Sequence, residues 1–205
     1  MKTLVIDSAT EACSVALFDH GQLLAGDWRM LGRGHAEQLV PMIEALPGKG
    51  QAERIAVAIG PGSFTGVRVG LAAARALAFA WKAQLVGYPT LSLIAAMALE
   101  RHPAGPVTVC TTGGHGEWFV QEFDPSAAPL GRLASLSPAA AVAEARSALV
   151  AGSQSQGLIN QRGHGEALEI WPDARSFHLL APSELTTDVA PLYGRAPDAR
   201  LPGAA

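Results

Sequence analysis

The period of the apolar positions changes several times along the first hundred residues, and each change marks an element. Residues 3–7, 13–18 and 23–28 are apolar over strand lengths, separated by a tight turn and by the hairpin residues Asp19-His20-Gly21-Gln22. They predict an antiparallel meander. From 35 to 46 the period becomes helical, with Leu39, Met42, Ile43 and Leu46 on one face and Pro41 either kinking the helix or sitting near its first turn. A short apolar strand at 54–59 runs into Gly60-Pro61-Gly62-Ser63-Phe64-Thr65-Gly66, and 67–82 reads as a long helix. A strand at 84–87 and a helix at 90–100, capped by Thr90, complete one α/β lobe.

The Arg101-His102-Pro103-Ala104-Gly105-Pro106 stretch is the expected lobe boundary. It divides the chain into a first lobe at 1–102, a second at 103–195 and a frayed tail at 196–205. In the second lobe the pattern predicts strands at 107–110 and 117–123, then a helix over 137–150 opened by Ser137-Pro138. Gly114-His115-Gly116-Glu117 recurs as Gly163-His164-Gly165-Glu166; the flanking glycines make both copies turns rather than metal sites.

Composition narrows the class. With 49% hydrophobic and 16% charged residues over 205 positions, the chain can bury a proper core. Its net charge of −3 argues against a protein that grips a phosphate backbone unaided. The two cysteines, Cys13 and Cys110, lie in strand-like apolar runs, which predicts buried thiols in a reducing, cytoplasmic setting. No signal peptide is expected, because Asp7 follows the first apolar residues directly. The longest apolar stretch, 69–81, contains Arg75 and falls short of the ~20 residues of a membrane span.

Two constellations carry candidate chemistry. Asp7-Ser8-Ala9-Thr10 joins two strands through small hydroxyl-bearing residues that could face a phosphate, although the same residues are ordinary turn formers. Gly60, Gly62 and Ser63 open a glycine-rich strand-to-helix junction whose N–H groups could hold an anion. This junction matches neither a P-loop nor a dinucleotide fingerprint. On the helix that follows, Gly66, Gly70, Ala74 and Ala78 form a ridge of small side chains open to a close helix partner, or to the chain's own sheet. Val67, Leu71, Leu77, Phe79 and Trp81 spread too far around that helix for a single buried stripe, which predicts a second apolar face.

Taken together, Leu4-Val5-Ile6-Asp7-Ser8-Ala9-Thr10, His35-Ala36-Glu37-Gln38-Leu39-Val40-Pro41, the run from Gly60 to Gly70 and Pro191-Leu192-Tyr193-Gly194-Arg195 resemble the TsaB (YeaZ) family. The likeness covers roughly the first hundred residues. It departs at Thr111-Thr112-Gly113-Gly114-His115-Gly116-Glu117-Trp118-Phe119, where members usually carry Asp-Ala-Arg and then Glu-Val-Tyr.

The resemblance implies an α/β ASKHA (actin-like, ribonuclease-H-like) fold of two similar lobes. It also implies a non-catalytic role in forming N6-threonylcarbamoyladenosine next to the tRNA anticodon. The partners it implies are TsaD, through the first two helices, and TsaE, with tRNA reached through the complex and a homodimer possible for the isolated chain. ATP and a metal belong to those partners, and no cofactor is expected to bind this chain firmly. The catalytic paralogue holds its metal with two histidines four apart on the first helix; here His35 is followed at that spacing by Leu39. His35, Leu39, Met42, Ile43, Val67, Gly70, Leu71 and Ala74 are therefore expected at a partner interface, and Asp7, Thr10, Gly60, Gly62 and Ser63 in a vestigial phosphate site. The rival expectation is an actin-like transferase or kinase with its own nucleotide-dependent activity.

Overall fold

In the computed structural model, which describes residues 1–194, the first meander forms as β1 (Lys2–Asp7), β2 (Ala12–Asp19) and β3 (Gln22–Met30). β1 is too apolar to sit at an edge, and it lies at the sheet centre, antiparallel to β2 and parallel to β4 (Arg54–Ala58). β5 (Gln84–Tyr88) extends the sheet in parallel, so its order is β3-β2-β1-β4-β5. Helix α1 (His35–Glu44) keeps Pro41 inside it and on its exposed side, and ends at Glu44, short of the expected 46. Helices α2 (Phe64–Trp81) and α3 (Thr90–Arg101) complete the lobe.

The second lobe repeats the plan. β6 (Val107–Thr112), β7 (Trp118–Phe123) and β8 (Pro129–Leu136) form the meander, and β9 (Leu149–Ala151) and β10 (Glu166–Leu168) add in parallel beside β6. The order β8-β7-β6-β9-β10 reproduces that of the first sheet. This duplicated topology is the α/β ASKHA fold.

Three expectations need correction here. The helix expected over 137–150 ends at α4 (Pro138–Glu144), and the apolar residues after it are the interior strand β9, between β6 and β10. Short alanine-rich and valine-rich runs have the same periodicity in either state. β8, β10 and α5 (Ser155–Arg162) were not anticipated, and α5 carries almost no apolar face.

The second lobe also does not hold everything from 103 to 195. After β10 the chain returns to the first lobe. Trp28 Nε1 donates to Pro172 O at 3.2 Å, and Ala174 N to Ser14 Oγ at 2.9 Å. Phe177, in a 3-10 turn at Ala174–Leu179, packs with its ring tilted against those of Phe18 and Tyr88. The expected tail at 196–205 lies outside the described residues.

One continuous core links the lobes. Ten consecutive residues of α3, Thr90 through Leu99, are buried, and the helix packs against β6, β7 and β9 of the second sheet and against the 3-10 turn at Ala174–Leu179. Leu4, Ile55 and Leu91 belong to the same cluster as Val109, Phe123 and Leu149. Cys13 and Cys110 are buried free thiols, pushed up to about 12 by that burial. Among the described residues no helix is long and apolar enough to cross a membrane.

Candidate functional site

The two glycine- and hydroxyl-rich loops meet, and they satisfy each other. Ser63 N donates to Ala9 O at 2.7 Å, and Ser8 Oγ donates to Gly66 O at 2.9 Å. Ser63 Oγ caps the helix by accepting from Gly66 N at 3.2 Å. Ala9 N is spent on Asp7 Oδ1 at 3.0 Å, and Ala12 N on Thr10 Oγ1 at 3.3 Å. These are amides a phosphate would otherwise engage.

Close approach explains the glycines. A Cβ on Gly62 would overlap Ala9 O, one on Gly66 would overlap Ser8 O, and one on Gly70 would come within 2.6 Å of Ser8 Oγ. The small-residue ridge of α2 therefore faces the chain's own β1 loop. The structure corrects the expected interface on this point: His35, Leu39, Met42, Ile43, Val67, Gly70, Leu71 and Ala74 are all buried inside the chain. Periodicity shows which residues share a face; it does not show whether that face looks inward or outward.

Asp7 is sealed at the end of β1. Its Oδ2 accepts from the Tyr88 hydroxyl at 3.2 Å, and the same hydroxyl lies 3.2 Å from Ile6 O. Burial pushes the carboxyl up to about 7, and the hydrogen bonds from Ala9 and Tyr88 pull back only part of that. Burial also raises the Tyr88 phenol. His35 is equally committed: its Nε2 lies 2.8 Å from Thr10 O, and since a carbonyl can only accept, Nε2 carries the proton. With Leu39 buried one turn on, these residues do not fit a helical metal pair.

Between the lobes lies a cleft of about 490 Å3. Thr10, Gly62, Ser63 and Arg68 line it from the first lobe, and Thr112, His115 and Phe119 from the second; Asp7 and Gly60 do not. The atypical 111–119 segment is the β6–β7 hairpin, turning through Gly114–Gly116, and it forms the cleft's far wall. Its recurrence at Gly163 is the C-terminal end of α5, so both copies are turns.

The second apolar face expected on α2 points outward, and sequence reasoning missed that α1 carries an outward apolar face as well. On α1, Ala36, Val40 and Pro41 are exposed, with Val40 at 57%. On α2, which packs beside α1, the exposed positions include Ala72, Ala76, Phe79 and Ala80, with Phe79 at 89%. The signal for the α2 face was present in the spread of apolar residues around that helix.

A family model described as TsaD, tRNA N6-adenosine threonylcarbamoyltransferase, matches residues 29–134, just over half of the chain. The tRNA threonylcarbamoyladenosine biosynthesis protein TsaB of Escherichia coli is 35% identical over 128 residues, 60% of this chain and 55% of that protein. Its Haemophilus influenzae counterpart is 38% identical over 124 residues, 58% and 52% of the respective chains. A Pseudomonas aeruginosa crystal structure described as similar to peptidase YEAZ superposes with a TM-score of 0.81 at 27% identity, covering 95% of this chain and 99% of the other.

The chain belongs to the TsaD-related family, in its TsaB (YeaZ) branch.

The alignments span about half the length of the curated TsaB relatives, whereas the structural likeness to YeaZ covers both lobes. The matched TsaD-model region includes both α1 and α2 and crosses into β8, so the helices with the outward apolar face lie within the family's shared part.

Proposed function

We propose that the chain acts in tRNA threonylcarbamoyladenosine biosynthesis as a non-catalytic partner that binds a TsaD-type catalytic subunit through the outward faces of α1 and α2. The observation that carries this reading is the unpartnered apolar surface on those helices, headed by Val40 and Phe79. An exposed patch of apolar side chains, rather than a single one, is the usual mark of a docking surface. The inward faces, with Leu39 and Gly70, support the fold beneath it.

The loop geometry favours the non-catalytic form. Amides that would cradle a phosphate are bonded to Ala9 O, Asp7 and Thr10, and Asp7 is buried and does not line the cleft. On this reading ATP and metal are held by the partner subunits, TsaD and TsaE, and tRNA is reached through the complex. The isolated chain can use the same apolar face for self-association.

The test is reconstitution with the cognate TsaD and TsaE, omitting one protein at a time and measuring threonylcarbamoyladenosine in tRNA by mass spectrometry. Modification is expected only with this chain present, and none from this chain alone. Robust metal-dependent turnover by the chain alone would instead establish the rival actin-like transferase.

A further inference from the structure

Beyond a 3-10 turn at Pro182–Glu184, residues 185–194 run along the first lobe to the cleft. Thr186 exchanges two backbone hydrogen bonds with Gly87, at 2.8 and 2.9 Å, on the outer strand β5. Arg75 Nη2 donates to Val189 O at 2.7 Å, and Leu192 N donates to Ile59 O at 2.7 Å. Tyr193 is then caught by Arg68. The guanidinium carbon stands 3.2 Å from the Phe64 ring centre and 5.2 Å from that of Tyr193. Arg68 Nη1 donates to Phe64 O at 3.0 Å, and Nη2 donates to the Tyr193 hydroxyl.

One residue later the segment touches the other lobe. A Cβ on Gly194 would come within 2.5 Å of the Phe119 ring in β7 and 3.6 Å of Leu133 in β8. Leu192, Tyr193 and Gly194 all line the cleft. Three consecutive residues thus touch both walls.

We propose that residues 185–194 form a clasp that ties the lobes together across the mouth of the cleft, with Arg68 as its catch. Elsewhere the lobes are joined through α3 and the 3-10 turn at Ala174–Leu179, which leaves the cleft walls free to part unless something bridges them. Tyr193 is 48% exposed, so burial alone holds it weakly. The stacked guanidinium and its hydrogen bond supply the specificity. Contacts of this kind at a half-exposed site open reversibly, as a catch must. The clasp also gives Pro191-Leu192-Tyr193 and the run from Gly60 to Gly70 a shared role, since it is at Arg68 that these distant stretches meet. Arg68 acts here as a positioning residue.

The test uses the full chain and two variants, Arg68→Ala and Tyr193→Phe. In Arg68→Ala, amide hydrogen exchange at Gly87, Thr186 and Leu192 is expected to accelerate at least about tenfold, while Val5, Ile55 and Val109 in the core strands exchange as in the parent. Spin labels at Glu44→Cys and Gln156→Cys, both exposed sites on different lobes, are expected to give one narrow distance distribution in the parent and a broader one in the variant. The native thiols are buried and stay unlabelled. Tyr193→Phe keeps the ring and loses the hydroxyl bond, so acceleration confined to 186–192 is expected from it, and this decides the matter if Arg68→Ala does not fold. Unchanged exchange and an unchanged distance distribution overturn the clasp. So does acceleration spread equally over the core strands, which would make Arg68 a general support of the fold.

Discussion

Asp7 shows how strongly burial can act on a single residue. The carboxyl lies in the β1 core with no cationic side chain paired to it among the described residues, and burial holds it up at about 7. An unfolded aspartate ionises near 4, so between pH 4 and 7 the folded chain binds the extra proton. Stability from this group is therefore fully present below about pH 4, falls as pH rises, and levels off above 7. The span corresponds to about 4 kcal/mol. In Asp7→Asn the decline should vanish: the variant melts at least as high as the parent at pH 8, and its melting temperature is flat where the parent's falls by several degrees. Melting curves from pH 4 to 8 check this, and a parent whose stability rises over that range refutes it. Gly62 is the companion case. With Ala9 O already in the place of its missing Cβ, Gly62→Ala must push two loops apart, and a loss of about 1–3 kcal/mol is expected by thermal unfolding.

At the scale of elements, the inner and outer faces of α2 give opposite forecasts. Ala74→Leu adds bulk at a fully buried site and should lower the melting temperature first. Phe79→Asp removes an exposed apolar group and should leave melting nearly unchanged while weakening co-purification with TsaD about tenfold or more. Measuring both quantities on both variants separates the faces; loss of fold without selective loss of binding in Phe79→Asp would remove that face as a docking surface. The sequence carried the elements of this lobe because each change of period coincided with a turn-former, as at Gly21 and Gly60. It did not carry the direction of the Gly66-Gly70-Ala74 ridge, which depends on the 8–9 loop lying against it. Nor did it carry β8 or β9. β8 is an outer strand with only half its residues shielded, and β9 is three residues long, so neither is long or regular enough to set a period.

For the molecule as a whole, the decisive feature is that the lobe boundary in the sequence is not a boundary in the core. The stretch at 101–106 looks like a linker, yet α3 just before it is buried against the second sheet, and the residues that finish the first lobe come from beyond 170. Ala174 N satisfies the buried Ser14 hydroxyl, Phe177 covers Phe18 and Tyr88, and Thr186 pairs with Gly87 on β5. A fragment of residues 1–106 loses all of these. It would expose the side of α3 that packs on the second sheet, leave Ser14 without its partner and open the β5 edge, each of which costs stability. The fragment is therefore expected to show secondary structure by circular dichroism but poor amide dispersion in NMR and strong binding of a hydrophobic dye. The full chain should unfold in one transition, with near-ultraviolet and far-ultraviolet signals changing together. A well-dispersed, cooperatively melting 1–106 fragment would show the lobes to be independent, and would make the shared core an accident of packing rather than the reason the chain folds as one unit.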